Sequence, residues 1–292
     1  MFSWILFSCC VMMWAILAFI SDESKGKRGI YLSIFLPEEI RDEDELKSLI
    51  EEYREERKRW KIWSFLTMFL VLIPTNYISI PFSLMMLWYI VAPVVYYRIY
   101  AKFQRQIKAL KEAQGYELSG DEMAWRGGIF YYRPDSKKVF VSQPGTMNST
   151  MNLATPVGKW TMIIAGLITL ASLGFSWGLI LVDDWIPQKL EVDGQEIRIK
   201  GGSYSAKLLF EEIESIELLP KVESLYKESG SATDLYARGN FRVKDYGYVK
   251  VFLYRSCDSC ILIRNQGKTI LYNEKTEEET QALYEQLTNL GI

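Results

Sequence analysis

The sequence predicts an α+β membrane protein: four transmembrane helices, a helical hairpin extending from two of them, and a C-terminal β-barrel or sandwich capped by one helix. Three observations predict it. Residues 62–97 run for thirty-six positions without a charged side chain. Two more uncharged stretches, Phe2 to Ile20 and Trp160 to Val182, are each long enough to cross a hydrocarbon core of about 30 Å. Beyond residue 187 the pattern changes to short alternating apolar runs divided by turn dipeptides, and it ends in an amphipathic stretch.

A straight helix over 62–97 would measure roughly 54 Å, so the stretch is predicted to fold back as a transmembrane hairpin at Pro74-Thr75-Asn76. Residues 1–20 form the first span and run into Ser21-Asp22-Glu23. This segment lacks the basic start and small-residue cleavage site of a signal peptide, and Phe7 is too bulky for a lipoprotein signal before Cys9. It is expected to stay uncleaved. The last span, 160–182, sits between Lys159 and Asp183-Asp184. Trp60, Trp63, Trp160 and Trp185 fall near the predicted interfaces, where an amphipathic ring is favoured. The loops at 21–61 and 98–159 carry ten Lys and Arg each, whereas the N-terminus and the tight turn carry none. The positive-inside rule places both loops in the cytoplasm, and both termini with residues 187–292 outside it.

Within 21–61, Asp42 is predicted to cap a helix whose first turn holds Glu43, Asp44 and Glu45. Leu46, Leu49, Ile50 and Tyr53 then share one face. After residue 97 a second stripe, Tyr96, Ile99, Tyr100, Phe103, Ile107 and Leu110, continues out of the membrane. The two arms are expected to pair as antiparallel helices. Glu51, Glu52, Glu55 and Glu56 face Lys102, Arg105 and Lys108, but exposed pairs contribute only about 0.5 kcal/mol each, so apolar packing must dominate.

Residues 98–159 close on short β-like runs around Trp125-Arg126-Gly127-Gly128, Ile129 to Tyr132, the turn Arg133-Pro134-Asp135, and Val139-Phe140-Val141. Trp125, Gly128, Tyr131, Pro134, Asp135, Phe140, Val141 and Asn152 give this segment a pattern that resembles an uncharacterised family of short domains in bacterial membrane proteins. Leu36-Pro37-Glu38-Glu39 extends the likeness. Arg133 replaces the usual Asn, and a basic pair near Gln143 is missing. That family has no assigned activity, so the resemblance implies architecture alone. Trp125, Tyr131, Asp135, Phe140 and Asn152 are candidates for a partner surface; the alternative is packing beneath the spans.

In residues 187–292, Leu190-Glu191-Val192 and Ile197-Arg198-Ile199 flank the hairpin signal Asp193-Gly194. Further strands are predicted at 206–210, 213–218, 248–254, 261–263 and 269–272, with Asn265-Gln266-Gly267 turning between the last two. A final helix starts at Thr276 with Glu279 as its capping partner, presents Leu283, Tyr284, Leu287 and Leu290, and stops at Gly291. Gly247 to Val251, Ile261-Leu262-Ile263 with its turn to Lys268, and the acidic helix start resemble the bacterial pleckstrin-homology-like domain. The resemblance implies a binding scaffold; together with the four spans the chain reads as a multi-pass protein of the bacterial inner membrane. Residues 187–292 hold 14 Lys and Arg against 17 Asp and Glu, with no tight basic cluster. Headgroup recognition needs concentrated positive charge, so beyond the lipid bilayer itself the expected partner is a protein, a peptide or a second copy in a homo-oligomer. Lys221 to Asn240 reads as a long mobile loop that would carry specificity.

The chain has no histidine, which excludes Ser-His-Asp and Cys-His machinery and the commonest metal ligand. No catalytic, cofactor-binding or metal-binding residue is identified, and no cofactor or nucleic-acid partner is expected. Cys257 and Cys260 are read either as a local disulfide or as unpaired structural thiols, since two ligands do not make a zinc site. The spans lack ionisable residues, which argues against a transporter or channel subunit. Gly174-Phe175-Ser176-Trp177-Gly178 is a weak helix-association pattern. The expected function is non-catalytic: a sensing, scaffolding or regulatory membrane protein that binds a protein or peptide through its C-terminal domain. The alternative is an immunity-type membrane protein protecting against a secreted peptide toxin.

Overall fold

The computed structural model describes residues 2–19, 29–144, 149–220, 222 and 225–290. It divides into two compact units, residues 1–73 with 80–174 and residues 74–79 with 175–292. The predicted flank Ser21-Asp22-Glu23, Lys221 and the stop at Gly291 lie outside the described residues.

In the first unit, α1 (Phe2–Phe19) precedes a hairpin of β1 (Ile30–Tyr31) and β2 (Ile34–Phe35), the single turn α2 (Glu38–Arg41) and the long α3 (Asp44–Met68). That helix tightens into a 3₁₀ turn over Phe69–Leu72 and breaks at Pro74, and α4 (Ser79–Ala113) follows. The short α5 (Gly120–Ala124) leads into two hairpins, β3 (Trp125–Arg126) with β4 (Phe130–Tyr131) and β5 (Phe140–Ser142) with β6 (Ser149–Met151). Helix α6 (Pro156–Trp185) comes next.

Among the described residues two helices, α4 and α6, are long and apolar enough to cross a membrane. Helix α1 is apolar over Ser3–Ala18 but shorter. The arm predicted as the second span has the least reach, because its uncharged helical part, residues 62–72, rises only about 17 Å. Instead of standing alone it packs with its neighbours: Leu6 and Cys10 of α1 meet Met68, Val71, Met85, Trp88 and Ala92. Indole N–H groups stitch this apolar cluster. Trp88 donates to the Ser64 carbonyl at 3.0 Å, Trp60 to the Ala92 carbonyl at 3.0 Å, and Trp14 to the Lys61 carbonyl at 3.2 Å. Trp60 is buried in this cluster, whereas Trp63 and Trp160 are exposed. The Arg57 guanidinium reaches the Ala18 carbonyl near the end of α1, where the helix dipole favours a cation.

The two arms beyond this cluster pack through the predicted stripes. Leu46, Ile50 and Tyr53 of α3 bury against Tyr100, Phe103, Ile107 and Leu110 of α4, and the β1–β2 hairpin adds Leu32, Ile34 and Leu36. Lys102 bridges Glu52 and Glu56 at 3.0 and 2.7 Å, while Lys108 donates to the Trp125 carbonyl. Asp42 does not cap α3; it ends α2, and Glu43 occupies the N-cap position without a side-chain bond. Gly128 (φ 72°) lets the β3–β4 hairpin press on α4, for a Cβ there would lie 2.3 Å from the Tyr100 ring.

In the second unit, β7 (Lys189–Asp193), β8 (Glu196–Gly201) and β9 (Tyr204–Leu209) form an antiparallel meander in which β9 is an outer strand. The larger sheet contains β10 (Ile213–Pro220), β11 (Leu225–Ala232), β12 (Tyr236–Val243), β13 (Gly247–Tyr254), β14 (Ser259–Asn265) and β15 (Lys268–Tyr272). Its order is β10-β14-β15-β13-β12-β11, with β13 and β15 parallel. Helix α7 (Glu277–Asn289) follows, and the Thr276 hydroxyl accepts the Glu279 N–H at its start. Alternation along β14 and β15 sends Ile261, Ile263, Ile270 and Tyr272 towards Ile197, Ile199, Leu208 and Leu287, and Cys260, Leu262 and Leu271 to the opposite face. Leu290, predicted on the packed face of α7, is 46 % exposed.

Nine strands stand where seven were expected. The extra pair, β11 and β12, lies in the stretch read as a mobile loop; residues 225–243 are instead a hairpin paired from Leu225↔Val243 to Ala232↔Ala237, with a bulge between Lys227 and Ser229.

Candidate functional site

The predicted partner surface over residues 125–152 divides in two. Trp125 and Tyr131 are buried with their rings 5.3 Å apart, and Asn152 is fully buried. The Asn152 side chain donates to the carbonyls of Arg133 and Ser136 and accepts from the N–H groups of Arg133 and Ala154. It holds the Pro134 turn against the start of α6, so these three residues build the module's interior. Asp135, bound to Arg133, and Phe140, 67 % exposed, remain on its surface.

The second unit contains a polar joint that the sequence did not announce. The last turn of α6 carries Asp183 and Asp184, read above only as a membrane flank. Asp183 Oδ1 accepts the Ser203 N–H and hydroxyl at 2.8 and 2.6 Å, and Oδ2 accepts the Ser231 hydroxyl. Gly202 makes room for this, since a Cβ there would meet Asp183 Oδ1 at 2.6 Å. Arg238, 2 % exposed at the centre of β12, sends Nη1 to the carbonyls of Asp183 and Ile186 at 2.8 and 3.0 Å, and Nε to Gln188 Oε1 at 3.2 Å. Its guanidinium lies 4.3 Å from the Tyr236 ring centroid. Gln188 continues the chain of bonds, donating to the carbonyls of Phe252 and Asn273. Asp184 accepts the Ser79 N–H at 2.6 Å and the Tyr236 hydroxyl at 2.8 Å. Charged groups this deeply buried are stable only when every partner is present. The end of α6 is thus keyed to β8–β9, β11, β12 and β13 by directional bonds.

A second feature of the same unit is a cleft of ≈ 560 Å³ beside outer strand β9. Lys207, Lys250 and Lys268, from β9, β13 and β15, come together along it. Glu228 is the acidic group facing them, and Arg242 already holds it at 3.0 Å. Lys207 is shared with Glu196, whereas Lys250 and Lys268 make no ion pair among the described residues. The strand that lines one wall has hydrogen-bonding groups directed away from β8, the arrangement to which another strand can add.

Residues 188–286 match the bacterial PH domain family. The match covers about a third of the chain. No curated protein and no solved structure matches the chain. The joint and the cleft both belong to this PH domain and the residues that lead into it. A PH fold is a protein- or lipid-binding module, and no reaction follows from it. Among the described residues no group of acidic or cysteine side chains is arranged to hold a metal. Cys257 and Cys260 are both buried and free. The Cys257 sulfur lies 3.4 Å from the Thr280 hydroxyl, and that of Cys260 3.8 Å from the Pro220 carbonyl. Burial pushes the Cys260 thiol up to about 12, with Cys257 adding a smaller push, which makes it a poor nucleophile.

Sequence reasoning missed the cleft because its lysines are spread over sixty residues of a net-acidic domain. Only the parallel pairing of β13 with β15 and the placing of β9 from the other sheet beside them bring them together.

Proposed function

We propose that this chain is a non-catalytic, multi-pass membrane protein whose PH domain binds an extended, acidic segment of a protein or peptide partner and passes that event to helix α6. The cleft carries the reading. It pairs an open strand edge, which supplies backbone hydrogen bonds to any extended chain, with Lys250 and Lys268, which select acidic side chains. The joint supports the second half, because a domain keyed to a helix end through Arg238 and Asp183 cannot shift without moving that end.

The test is in-cell crosslinking through a photoreactive residue at exposed Ser205, comparing the wild type with Lys250→Glu/Lys268→Glu. Two charge reversals are expected to weaken capture of the wild-type partner by roughly tenfold or more. Equal capture by both chains would remove the cleft from the reading.

By the positive-inside rule the PH domain and both termini lie outside the cytoplasm. Cys257 and Cys260 are too buried to report on this. A cysteine at exposed Glu278, in a chain with the four native cysteines replaced, is expected to react with an impermeant maleimide in intact cells. Reaction only after lysis would reverse the topology.

A further inference from the structure

The residues around the joint leave a recess of ≈ 610 Å³ that the partner-binding reading does not use. Tyr77, Trp185, Tyr236, Tyr254, Arg255 and Lys275 form its working wall. Its depth follows from the helix that ends at it. The uncharged run from Trp160 to Val182 rises about 34 Å, enough to fill a hydrocarbon core. Anything one turn further along α6 therefore lies at the level of the lipid phosphates. Trp185 and Tyr77, stacked at 4.8 Å and 6°, are the side chains expected at that level.

The chemistry of the wall suits the same level. Arg255 and Lys275 form no ion pair among the described residues, and Lys275 Nζ lies 5.8 Å from the Tyr254 ring centroid. The exposed Ser256 hydroxyl belongs to the same wall. Of the two acidic groups there, Asp184 is engaged by Ser79 and Tyr236, which leaves Asp234 as the counterweight. Arg238, also part of the lining, adds positive charge, although its Nε and Nη1 are committed to the joint. Two cations free of ion pairs, Lys275 beside the Tyr254 ring and Arg255 on the same wall, suit the binding of a phosphate.

We propose that this recess holds the phosphate of an anionic phospholipid headgroup from the leaflet in which α6 ends. The proposal rests on α6 spanning the bilayer and is independent of the partner at the β9 cleft. The headgroup would sit against residues bonded to the joint, so leaflet composition would bias the posture of the PH domain.

The experiment uses the full chain in nanodiscs of phosphatidylcholine containing a minority of phosphatidylglycerol, with the lipids retained on purification measured by mass spectrometry. Wild type is expected to enrich phosphatidylglycerol, and Arg255→Glu/Lys275→Glu to lose that enrichment by roughly tenfold. Arg255→Lys should retain it. A melting curve matching wild type shows that the double variant is folded. Equal enrichment in both chains overturns the site. Displacement of the lipid by millimolar inorganic phosphate would assign the recess to a soluble phosphate and overturn the headgroup. Alkaline extraction of native membranes separates the two premises: release of the chain defeats the spanning of α6, whereas retention without lipid preference defeats the headgroup site alone.

Discussion

Arg238→Ala is expected to destabilise the PH domain by about 3–5 kcal/mol, the range for removing one member of a buried charged network. The side chain is 2 % exposed, and three acceptors depend on it: the Asp183 and Ile186 carbonyls and Gln188 Oε1. Alanine leaves all three without this donor, the Asp183 carbonyl and Gln188 Oε1 in buried bonds, and empties the space between the Tyr236 and Tyr254 rings, 4.3 and 5.6 Å from the guanidinium carbon. In a domain of this size such a loss lowers the melting temperature by roughly 15–30 °C. Thermal unfolding of the detergent-solubilised chain, followed by hydrogen exchange at the amides of β12 and β13, measures it. Arg238→Lys sharpens the result. A lysine keeps the charge but reaches these acceptors from one nitrogen rather than from a planar fork, so most of the loss should persist. A melting curve within a few degrees of wild type for both variants would mean that the joint does not hold the domain.

How much of this was legible in the sequence depended on how far apart the cooperating residues lie. The stripe Leu46, Ile50, Tyr53 and its counterpart Tyr100, Phe103, Ile107 could be read because helical periodicity is local, and their pairing followed from a single break at Pro74. The hairpins signalled by Asp193-Gly194 and Asn265-Gln266-Gly267 were legible for the same reason, although the first turns one residue later, at Gly194-Gln195. The β11–β12 hairpin was not. Its strands contain Ser229-Gly230-Ser231-Ala232 facing Ala237-Arg238-Gly239-Asn240, where small and polar residues replace the alternating apolar ones that mark a strand. What buries β12 there is the joint, with Arg238 in place of an apolar side chain. Asp183 and Asp184 had an adequate local explanation as a membrane flank. Their partners Ser203, Ser231 and Arg238 lie 20 to 55 residues away, so no local pattern could correct it. Trp125, Tyr131 and Asn152 misled in the opposite direction. Aromatic and amide groups in a short loop suggest a recognition surface until the loop proves to be a small fold with its own interior.

Lys111→Met is expected to cost the first unit about 3–5 kcal/mol near neutral pH, and the cost should shrink on acidification. Lys111 and Glu122 form an ion pair whose side chains are each 7 % exposed, with Nζ at 2.8 and 2.9 Å from the two carboxylate oxygens. Glu122 also accepts the N–H of Phe35 at 2.8 Å and of Ser119 at 2.7 Å, which ties β2 and the start of α5 to α4. Burial alone would raise its carboxyl, but the hydrogen bonds from Lys111, Ser119 and Phe35 outweigh that and hold it below the usual glutamate range. The sign follows. In the wild type, Glu122 contributes stability that is complete above the ordinary glutamate value of about 4.3 and is lost as pH falls through its lower folded value. Without Lys111 the largest lowering contribution is gone while the burial remains, so the folded carboxyl rises relative to the wild type. Protonation then relieves the variant, and its deficit relative to wild type narrows as pH drops from 7 towards 4. Lys111→Met/Glu122→Gln, which buries no charge, should recover much of the loss at pH 7. Urea unfolding of the full chain across this range, read by exchange of the amides in β2 and α5, distinguishes the cases. A deficit of Lys111→Met that stays constant with pH would show that Lys111 matters for its packing and not for the charge it neutralises.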